Sequence, residues 1–524
     1  MENRSETTRT RGFVMKTALS AVSLVLGLML LPGCQSECKP GQDADCWIDA
    51  LKDPKKIEKA IDNLKQIGDK KAEAPLIEAF KATTNPKYRE RIAEIFRKWG
   101  TKSAVPILIA SIDFTAGPDK ESMKSKRLNR MNQKIASALG ELGDKSAIQP
   151  LIRLMKVTKS PNVQRAAIRA LGELGATEAV DELLAIVNDT TAHKIIRMNA
   201  IYALGEIGDP KAVDTLVLCL YRDKAIYFFQ ARLALAKIGK PAVPALTKTM
   251  LGRNIEANKI VETNIEVLKG AIEANAALTL GDIGDPSAAE PILETIKKVE
   301  AWEAETNKLI TLTRLITALG NLGDKRGLAF ATKYLGTEYW DVRYVCAEAI
   351  NKISDRSALE ALYKYATTGG HPKTRAPLID AIGNLGTDEY LEKMQQMAKQ
   401  PQDPTVKKAL DATIKRLQAY KQCKQNVQCW ISKLDDKEEA VREKAAYELG
   451  RLNAKQAVDA LVKHVGDQSE AVRFGVMFAL DRIGSTKPIP AIKELLKKEK
   501  GSTRFKVANF NYEVLMARLK NRSK

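Results

Sequence analysis

Two pairs of closely spaced cysteines are the residues whose types and spacing come nearest to a recognisable chemistry. Cys38 and Cys46 precede one Trp-Ile pair, and Cys423 and Cys429 precede another. Four thiolates can bind zinc, but these pairs lie far apart in the chain and their spacings differ from those of paired zinc knuckles. A disulfide within each pair suits an oxidising compartment. We therefore predict the disulfides Cys38–Cys46 and Cys423–Cys429 and no metal site.

Other groupings that could perform catalysis are missing from the sequence. His193, His371 and His464 are the only histidines, and their scatter does not suggest a convergent ligand set. The glycine-rich motif GELGD and its relatives lack the Lys-Ser/Thr that follows a phosphate-binding loop. Cys219 and Cys346 lie on apolar helical stripes, where cysteine is usually a small buried hydrophobe. We predict no catalytic residue and no cofactor.

The first 34 residues indicate the compartment. Four basic residues precede the apolar run TALSAVSLVLGLMLL, residues 17–31, which is too short to span a bilayer comfortably but suits an export signal. The run ends in LPGC, residues 31–34. This motif resembles the lipobox of bacterial lipoproteins, whose cysteine is diacylated and becomes the first mature residue. Leu31 and Gly33 match that family, and Pro32 is a less common choice.

The lipobox resemblance implies that residues 1–33 are a cleaved signal peptide and that Cys34 carries the lipid. An uncleaved apolar anchor and cleavage without lipid are the alternatives. Translation starts at Met1 or at Met15. Gln35 follows the cysteine, whereas an Asp there signals inner-membrane retention in proteobacterial lipoproteins. The resemblance therefore implies an outer-membrane lipoprotein that faces the periplasm or the cell surface.

The chain is strongly basic. Its formal charge is +20, and removal of residues 1–33, with four basic and two acidic groups, leaves +18. Such a charge attracts nucleic acid, anionic lipid or acidic proteins. Export to the envelope argues against nucleic acid. We therefore expect a protein partner, and an acidic one would match this charge.

One sequence pattern recurs about a dozen times. Examples are ALGELGDKSAIQPLIRLM from Ala138 and ALGEIGDPKAVDTLVLCL from Ala203. Each copy has apolar positions at helical spacing, then a glycine that ends the first helix, then a second helix. Ser354 and Asn453 replace that glycine in two copies. Because one pair cannot bury its apolar stripe alone, neighbours must stack, which predicts an all-α fold, an α-solenoid of about a dozen helix pairs.

The repeating unit resembles the HEAT-like repeat in the short form named after phycobilisome lyases, over nearly all of residues 47–520. The resemblance implies a curved superhelix with the second helix of each pair on the concave side, and it implies no single activity. The deoxyhypusine hydroxylase of this fold holds iron through His-Glu pairs, which this sequence lacks. A bilin-lyase-like activity has no comparable signature, so the sequence leaves it open.

A longer spacing between Gly100 and Gly143 marks an insertion, DFTAGPDKESMKSKRLNRMNQK, residues 113–134. Its basic residues are Lys120, Lys124, Lys126, Arg127, Arg130 and Lys134. Insertions in solenoids often shape the binding face. These residues therefore form either a docking surface or a solvated extension of a helix. Elsewhere, basic residues early in first helices are expected to pair with acidic neighbours between repeats; these are Arg165, Arg343, Arg442 and Arg473.

The two cysteine loops divide the chain. Each precedes the first repeat of an array, and a solenoid end exposes an apolar face that needs a cap. We predict a lipidated tether and first cysteine loop at 34–46, a long array at 47–418, a second cysteine loop at 419–429, and a short array with a C-terminal helix at 430–524. The sequence does not decide whether the two arrays stack as one superhelix.

These features together predict a non-catalytic, lipid-anchored scaffold that binds another protein in the bacterial cell envelope. The alternative is a lyase-like or enzyme-accessory protein that holds a small ligand in its concave groove. A bound small molecule would favour the alternative.

Overall fold

A computed structural model describes residues 38–263, 269–368, 370–498 and 506–522, and within these ranges the regular elements are α-helices and 3-10 helices, with no strand. This confirms the all-α prediction. The described residues form two compact units, which divide between residues 69 and 70. No helix in the described ranges is long and apolar enough to cross a membrane.

The first unit contains two helices, α1 (Ala44–Ala50) and α2 (Ile57–Ile67). Trp47 of α1 and Leu64 of α2 are buried. The backbone amide of Gly41 donates to Oδ1 of Asn63 at 2.8 Å, which ties the N-terminal loop to α2.

Helices of the second unit follow one another in pairs. The α-helices are α3 (Glu73–Ala82), α4 (Pro86–Trp99), α5 (Val105–Ala110), α6 (Met123–Leu142), α7 (Ile148–Val157), α8 (Pro161–Glu173), α9 (Val180–Asn188), α10 (Lys194–Ile207), α11 (Val213–Leu218), α12 (Phe228–Ile238), α13 (Val243–Met250), α14 (Ile255–Glu262), α15 (Ala271–Ile283), α16 (Ala289–Glu300), α17 (Glu305–Leu322), α18 (Gly327–Tyr334), α19 (Trp340–Ile353), α20 (Leu359–Thr367), α21 (Pro372–Leu385), α22 (Leu391–Ala398), α23 (Pro404–Cys423), α24 (Val427–Lys433), α25 (Glu439–Arg451), α26 (Val458–Lys463), α27 (Glu470–Ile483), α28 (Ile489–Lys498) and α29 (Lys506–Arg522).

Short 3-10 helices lead into most second helices of the pairs. The 3-10 helices of this unit are Lys70–Ala72, Lys102–Ala104, Lys145–Ala147, Thr177–Ala179, Pro210–Ala212, Asp223–Ala225, Lys240–Ala242, Pro286–Ala288, Arg356–Ala358, Asp388–Tyr390 and Lys455–Ala457.

The residue that ends each first helix adopts the left-handed conformation in most copies. Gly143 has φ 76° and Gly208 has φ 75°. Ser354 (φ 64°) and Asn453 (φ 48°) adopt it too, which confirms that they occupy the glycine position of their copies. Gly386 differs, with φ −69° and ψ 163°, so α21 ends in extended backbone.

The earlier glycine of each motif allows neighbouring first helices to approach closely. A Cβ on Gly172 of α8 would lie 2.8 Å from Cα of Ala203 in α10, and one on Gly140 of α6 would lie 2.7 Å from Cα of Ala170 in α8. Such distances are shorter than packed carbon atoms tolerate. Consecutive first helices therefore form a closely packed layer.

Arginines early in first helices mainly bind backbone carbonyls of the preceding turn. Arg473 donates to the carbonyls of Asp467 and Gln468, and Arg343 donates to that of Thr337. Arg442 also binds Asp467 through Nε at 2.9 Å. An acidic partner is therefore confirmed for Arg442, and Arg343 and Arg473 donate to the backbone carbonyls named above.

Two apolar clusters meet near residue 418 of the second unit. One includes buried residues from Leu309 to Leu417, and the other includes buried residues from Ala419 to Leu519. Helix α23 runs through this point without interruption. The later helix α25 contacts α21 and α23, and α29 contacts α12, α15 and α27. The first helices thus face the C-terminal segment, whereas the repeat resemblance placed the second helices on the concave side.

Candidate functional site

Four of the six basic residues of the insertion form an exposed patch. Lys120, Lys124, Lys126 and Arg127 are all exposed, and among the described residues none of them forms an ion pair. We call these four residues the basic surface.

The other two basic residues of the insertion are in ion pairs between helices. Arg130 lies 3.2 Å from Glu90, and Lys134 lies 3.4 Å from Glu94, both on α4. These two cations therefore join α6 to α4. They are less available to a partner than the basic surface.

Buried amides hold the insertion in a defined conformation. Asn129 Nδ2 donates to the carbonyl of Gly117 and to Asp119 Oδ1, each at 2.8 Å. Asn132 accepts from the amide of Asp113 at 2.9 Å. Because both asparagines are almost fully buried, they fix the loop against α6. The basic surface is thus an ordered feature, part loop and part helix.

The basic surface lies at the helix terminus where positive charge is least favourable. Lys124, Lys126 and Arg127 fall near the start of α6, whose first turn contains no acidic residue. A helix N-terminus carries a partial positive charge that acts within the first turn, so Lys124 is unfavourable there by about 0.3–1 kcal/mol. Met123 beside Lys124 is 64% exposed. The positive charges and the apolar side chain of Met123 are both exposed to solvent here. A bound partner would neutralise the charges and cover the apolar side chain.

Charges in the adjoining first helices are largely neutralised. Arg97 of α4 lies 2.8 Å from Glu94 and 2.6 Å from Glu141 of α6. Burial favours a higher pKa for Glu94, but Arg97 and Lys134 outweigh it, so the pKa of Glu94 falls below its ordinary value. The basic surface therefore differs from Arg97, whose charge is matched within the chain.

A polar cleft of about 780 Å³ opens between α9, α11 and α14. Arg197 and Arg222 line it, and their charges are matched within its walls. Arg197 lies 3.0 Å from Asp223, and Arg222 lies 3.1 Å from Glu256. The cleft is large enough for a small organic ligand, although its walls do not select a charge.

Three exposed aromatic residues form a surface that the sequence analysis did not single out. Tyr339, Trp340 and Tyr344 are 54%, 53% and 46% exposed at the start of α19. Lys373 Nζ lies 5.9 Å from the Trp340 ring centroid. The stretch TEYWDVRY is conspicuous in a chain with 6% aromatic residues. The high density of aromatic residues in this stretch is the sequence signal from which the surface could have been predicted.

The predicted cysteine pairs lie at bonding distance. Sγ atoms are 1.90 Å apart in Cys38–Cys46 and 1.84 Å apart in Cys423–Cys429. Cys219 and Cys346 are buried free thiols, and burial raises their pKa values to about 11 and about 12. Both free thiols are therefore protonated and unreactive at neutral pH.

The two cysteine loops have matching internal geometry. The Trp47 indole donates to the carbonyl of Lys39 at 3.0 Å, and the Trp430 indole donates to that of Lys424 at 2.8 Å. Each acceptor directly follows the first cysteine of its pair. The loops are therefore two copies of one structural element, each of which holds a buried tryptophan.

The histidines have structural contacts. Nδ1 of His193 accepts the backbone amide of Ile195 at 3.2 Å, and Nδ1 of His371 accepts that of Lys373 at 3.1 Å, so both act as helix caps. In the part of the chain that the structure describes, no group of three or more metal-binding side chains converges. Cys34, the predicted lipid attachment site, lies outside the described residues.

Comparison with protein families matches the repeats over more than half of the chain. A model described as HEAT repeats matches residues 128–195, 159–236, 331–413 and 427–509. A model described as PBS lyase HEAT-like repeat matches residues 273–297. No curated protein matches the chain.

Solved structures with helical repeats give low-scoring matches. The complex of CpcE and CpcF of phycocyanin lyase from Nostoc sp. PCC7120 is 22% identical, covers 46% of this chain and 86% of its own, and has a TM-score of 0.28. Importin beta is 14% identical, with 90% and 68% covered and a TM-score of 0.35. Kap121p bound to Pho4p is 12% identical, with 88% and 51% covered and a TM-score of 0.37. At these scores the matches carry no information on activity or partner.

Proposed function

We propose that this chain, which belongs to the HEAT repeat family, is a non-catalytic scaffold that is anchored by lipid in the bacterial cell envelope and binds an acidic protein. The basic surface carries the proposal. Lys120, Lys124, Lys126 and Arg127 are exposed and held in place by the buried Asn129. A partner with exposed carboxylates would supply the counter-charge that the chain does not.

The envelope setting rests on the sequence. LPGC at residues 31–34 after a short apolar run is typical of lipoproteins, and it would place the repeats outside the cytoplasm. Residues 34–46 would then be only a short tether between lipid and repeats. The basic surface would act on proteins close to that membrane.

Charge reversal tests the partner surface. The fourfold variant Lys120→Glu, Lys124→Glu, Lys126→Glu and Arg127→Glu should lose most recovery of crosslinked partner in cells, with helix content unchanged. In the unmodified protein, recovery should also fall as salt rises, since exposed charges are screened within about 10 Å at 0.1 M.

A matched control makes the same change of charge on another surface. Lys455, Lys463, Lys497 and Lys498 are exposed, and their reversal to Glu should leave partner recovery unchanged. Undiminished recovery with both fourfold variants would reject the basic surface as the docking site. Equal loss with both would show that net charge alone drives capture.

A second candidate function is a small-ligand holder of the lyase-like or accessory kind. The cleft lined by Arg197, Arg222 and Thr215 is the observation that favours it. Native mass spectrometry of the purified full chain should then find a stoichiometric small molecule, and Thr215→Trp should remove it. Absence of any bound molecule would leave the scaffold proposal in place.

A further inference from the structure

The second unit divides into two parts near residue 418, although helix α23 runs without interruption across this point. We call the described residues of 70–417 the body and residues 419–498 and 506–522 the arm. The apolar cluster that begins at Leu309 ends at Leu417, and the cluster of the arm begins at Ala419. Side chains of the arm such as Trp430 and Leu519 belong to the arm's own core.

The first contact of the arm with the body is polar. Lys444 of α25 donates to the carbonyls of Asn384 at 2.9 Å and Gly386 at 2.8 Å, which are acceptors at the end of α21. Asn384 Nδ2 donates to Glu443 at 2.9 Å.

Further ion pairs and hydrogen bonds extend this contact. Glu443 also pairs with Arg416, Glu448 lies 3.4 Å from Arg356, and Arg451 donates to Ser354 Oγ at 3.1 Å. Each of these bonds joins the arm to the body.

The second contact is made by α29 and includes three polar bonds. Glu513 lies 2.9 Å from Lys237 of α12. Arg518 donates to the carbonyl of Asn321 at 3.0 Å, and Asn521 donates to that of Ala236 at 3.0 Å.

An aromatic contact accompanies these bonds. The rings of Phe510 and Phe229 lie edge to face with centroids 6.0 Å apart. The apolar side of α29, with Tyr512 and Leu519, packs within the arm's own core instead. Val514 and Ala517 of α29 are also buried but lie outside that core, so the contact of α29 with the body combines polar bonds with a small apolar area.

An apolar core and a polar contact differ in the free energy needed to separate their two sides. Opening an apolar core exposes hydrocarbon to water at about 25 cal/mol per Å². Opening a polar contact exchanges protein partners for water, and the net loss is about 1 kcal/mol for a neutral hydrogen bond and about 1.5–3 kcal/mol where a charged group takes part. Interfaces of this polar kind between parts of one chain permit relative motion. The contact between arm and body should therefore open well before either core unfolds.

We propose that the arm is a movable clamp, which closes on the first helices of the body through polar contacts and opens as a folded unit near the end of α23. Opening uncovers Lys237, Arg356 and Asn384 on the first-helix layer of the body. The proposal does not depend on the proposed function, because it concerns only contacts within this chain.

Paired spin labels on the full mature chain test the clamp. Lys248→Cys on the body and Lys497→Cys on the arm are exposed positions, and the native free thiols at 219 and 346 are buried. At low salt we expect one dominant distance between the two spin labels. In Glu513→Ala with Asn521→Ala, the ratio of open to closed molecules should rise roughly fivefold or more, as expected for lost polar contacts.

The control breaks a bond inside the arm. Lys487→Ala removes the exposed pair with Asp459, whose atoms lie 2.6 Å apart, and should leave the distance distribution unchanged. Amide exchange in α27 should stay slow in both variants. An unchanged distribution in the double variant would overturn the clamp, and so would loss of protection in α27, because the arm would then unfold rather than move.

Discussion

Glu448 shows what a single buried charge contributes at the contact between arm and body. Its side chain is 2% exposed and lies 2.9 Å from Lys444 and 3.0 Å from Arg451. Burial favours a higher pKa for Glu448, but the two cations outweigh it and lower the pKa to about 2. The ionised form is therefore the one that the fold stabilises.

The shift predicts how stability depends on pH. Because the folded pKa of Glu448 is below its ordinary value of 4.5, its contribution is complete above about pH 4.5 and is lost as pH falls toward 2. Glu448→Gln should destabilise α25 by roughly 3–5 kcal/mol at pH 7, since the buried Arg451 loses its counter-charge, whereas burial lowers the pKa of Lys444 to about 7 and allows that group to lose its proton instead. Amide exchange in α25 measures this loss.

The pH profile separates charge from packing. Between pH 7 and pH 3 the difference between wild type and Glu448→Gln should shrink. Glu438→Gln, which alters the exposed pair with Lys415 at 2.8 Å, should change stability by less than about 1 kcal/mol at every pH. A constant difference between wild type and Glu448→Gln would contradict the assignment of an ionised Glu448.

The small elements around Trp47 and Trp430 carry the next prediction. In the second copy, Cys423 and Cys429 close a loop whose backbone accepts the indole N–H of Trp430. Closing a loop of this size stabilises a fold by about 2–3 kcal/mol in the chain-entropy model. In a solenoid, stability is a sum over neighbouring units, so the effect should stay local.

Removing the second disulfide tests that locality. Cys423→Ser with Cys429→Ser should raise amide exchange mainly in residues 427–453 and leave residues 138–208 protected. The matched variant, Cys38→Ser with Cys46→Ser, should raise exchange in residues 44–67 only. Mass spectrometry of the unreduced protein should find both short links, and a link between Cys46 and Cys429 would refute them.

The repeat glycines show how far sequence reasoning reached at the level of elements. The later glycine of each motif was predicted to end a helix, and Gly143 and Gly208 do so in the left-handed conformation. The role of the earlier glycine was missed. Gly172 matters because Ala203 of the next repeat approaches it, and such a contact between units leaves no mark within one copy of the motif.

The basic insertion shows the same limit at a candidate site. Composition identified all six cations, but the sequence could not show that Arg130 and Lys134 bind Glu90 and Glu94 of another helix. It also gave no sign that Asn129 anchors the loop. Pairing across helices depends on the stacking of repeats, which periodicity predicts only in outline.

At the scale of the whole chain, local patterns were sufficient for the repeats and insufficient for the arm. Helical periodicity and glycine spacing repeat within each copy, so they could be found in sequence. The bonds of Glu513 to Lys237 and of Arg518 to Asn321 join residues far apart in sequence. Their polar residue types are ordinary on any helix surface, and only the folded path of the chain brings them together.

The last prediction concerns the attachment of the whole molecule to a membrane. A single acyl chain gives only marginal membrane binding, whereas two or more chains hold a protein stably, at about 0.8 kcal/mol per buried CH₂ group. If Cys34 is diacylated, Cys34→Ser should move the protein from the membrane fraction to soluble or uncleaved forms and abolish labelling by a fatty acid. Cys38→Ser with Cys46→Ser is the matched control, and it should remain labelled and in the membrane. Fatty-acid labelling of Cys34→Ser as strong as that of the wild type would refute the anchor and with it the proposed place of the scaffold in the envelope.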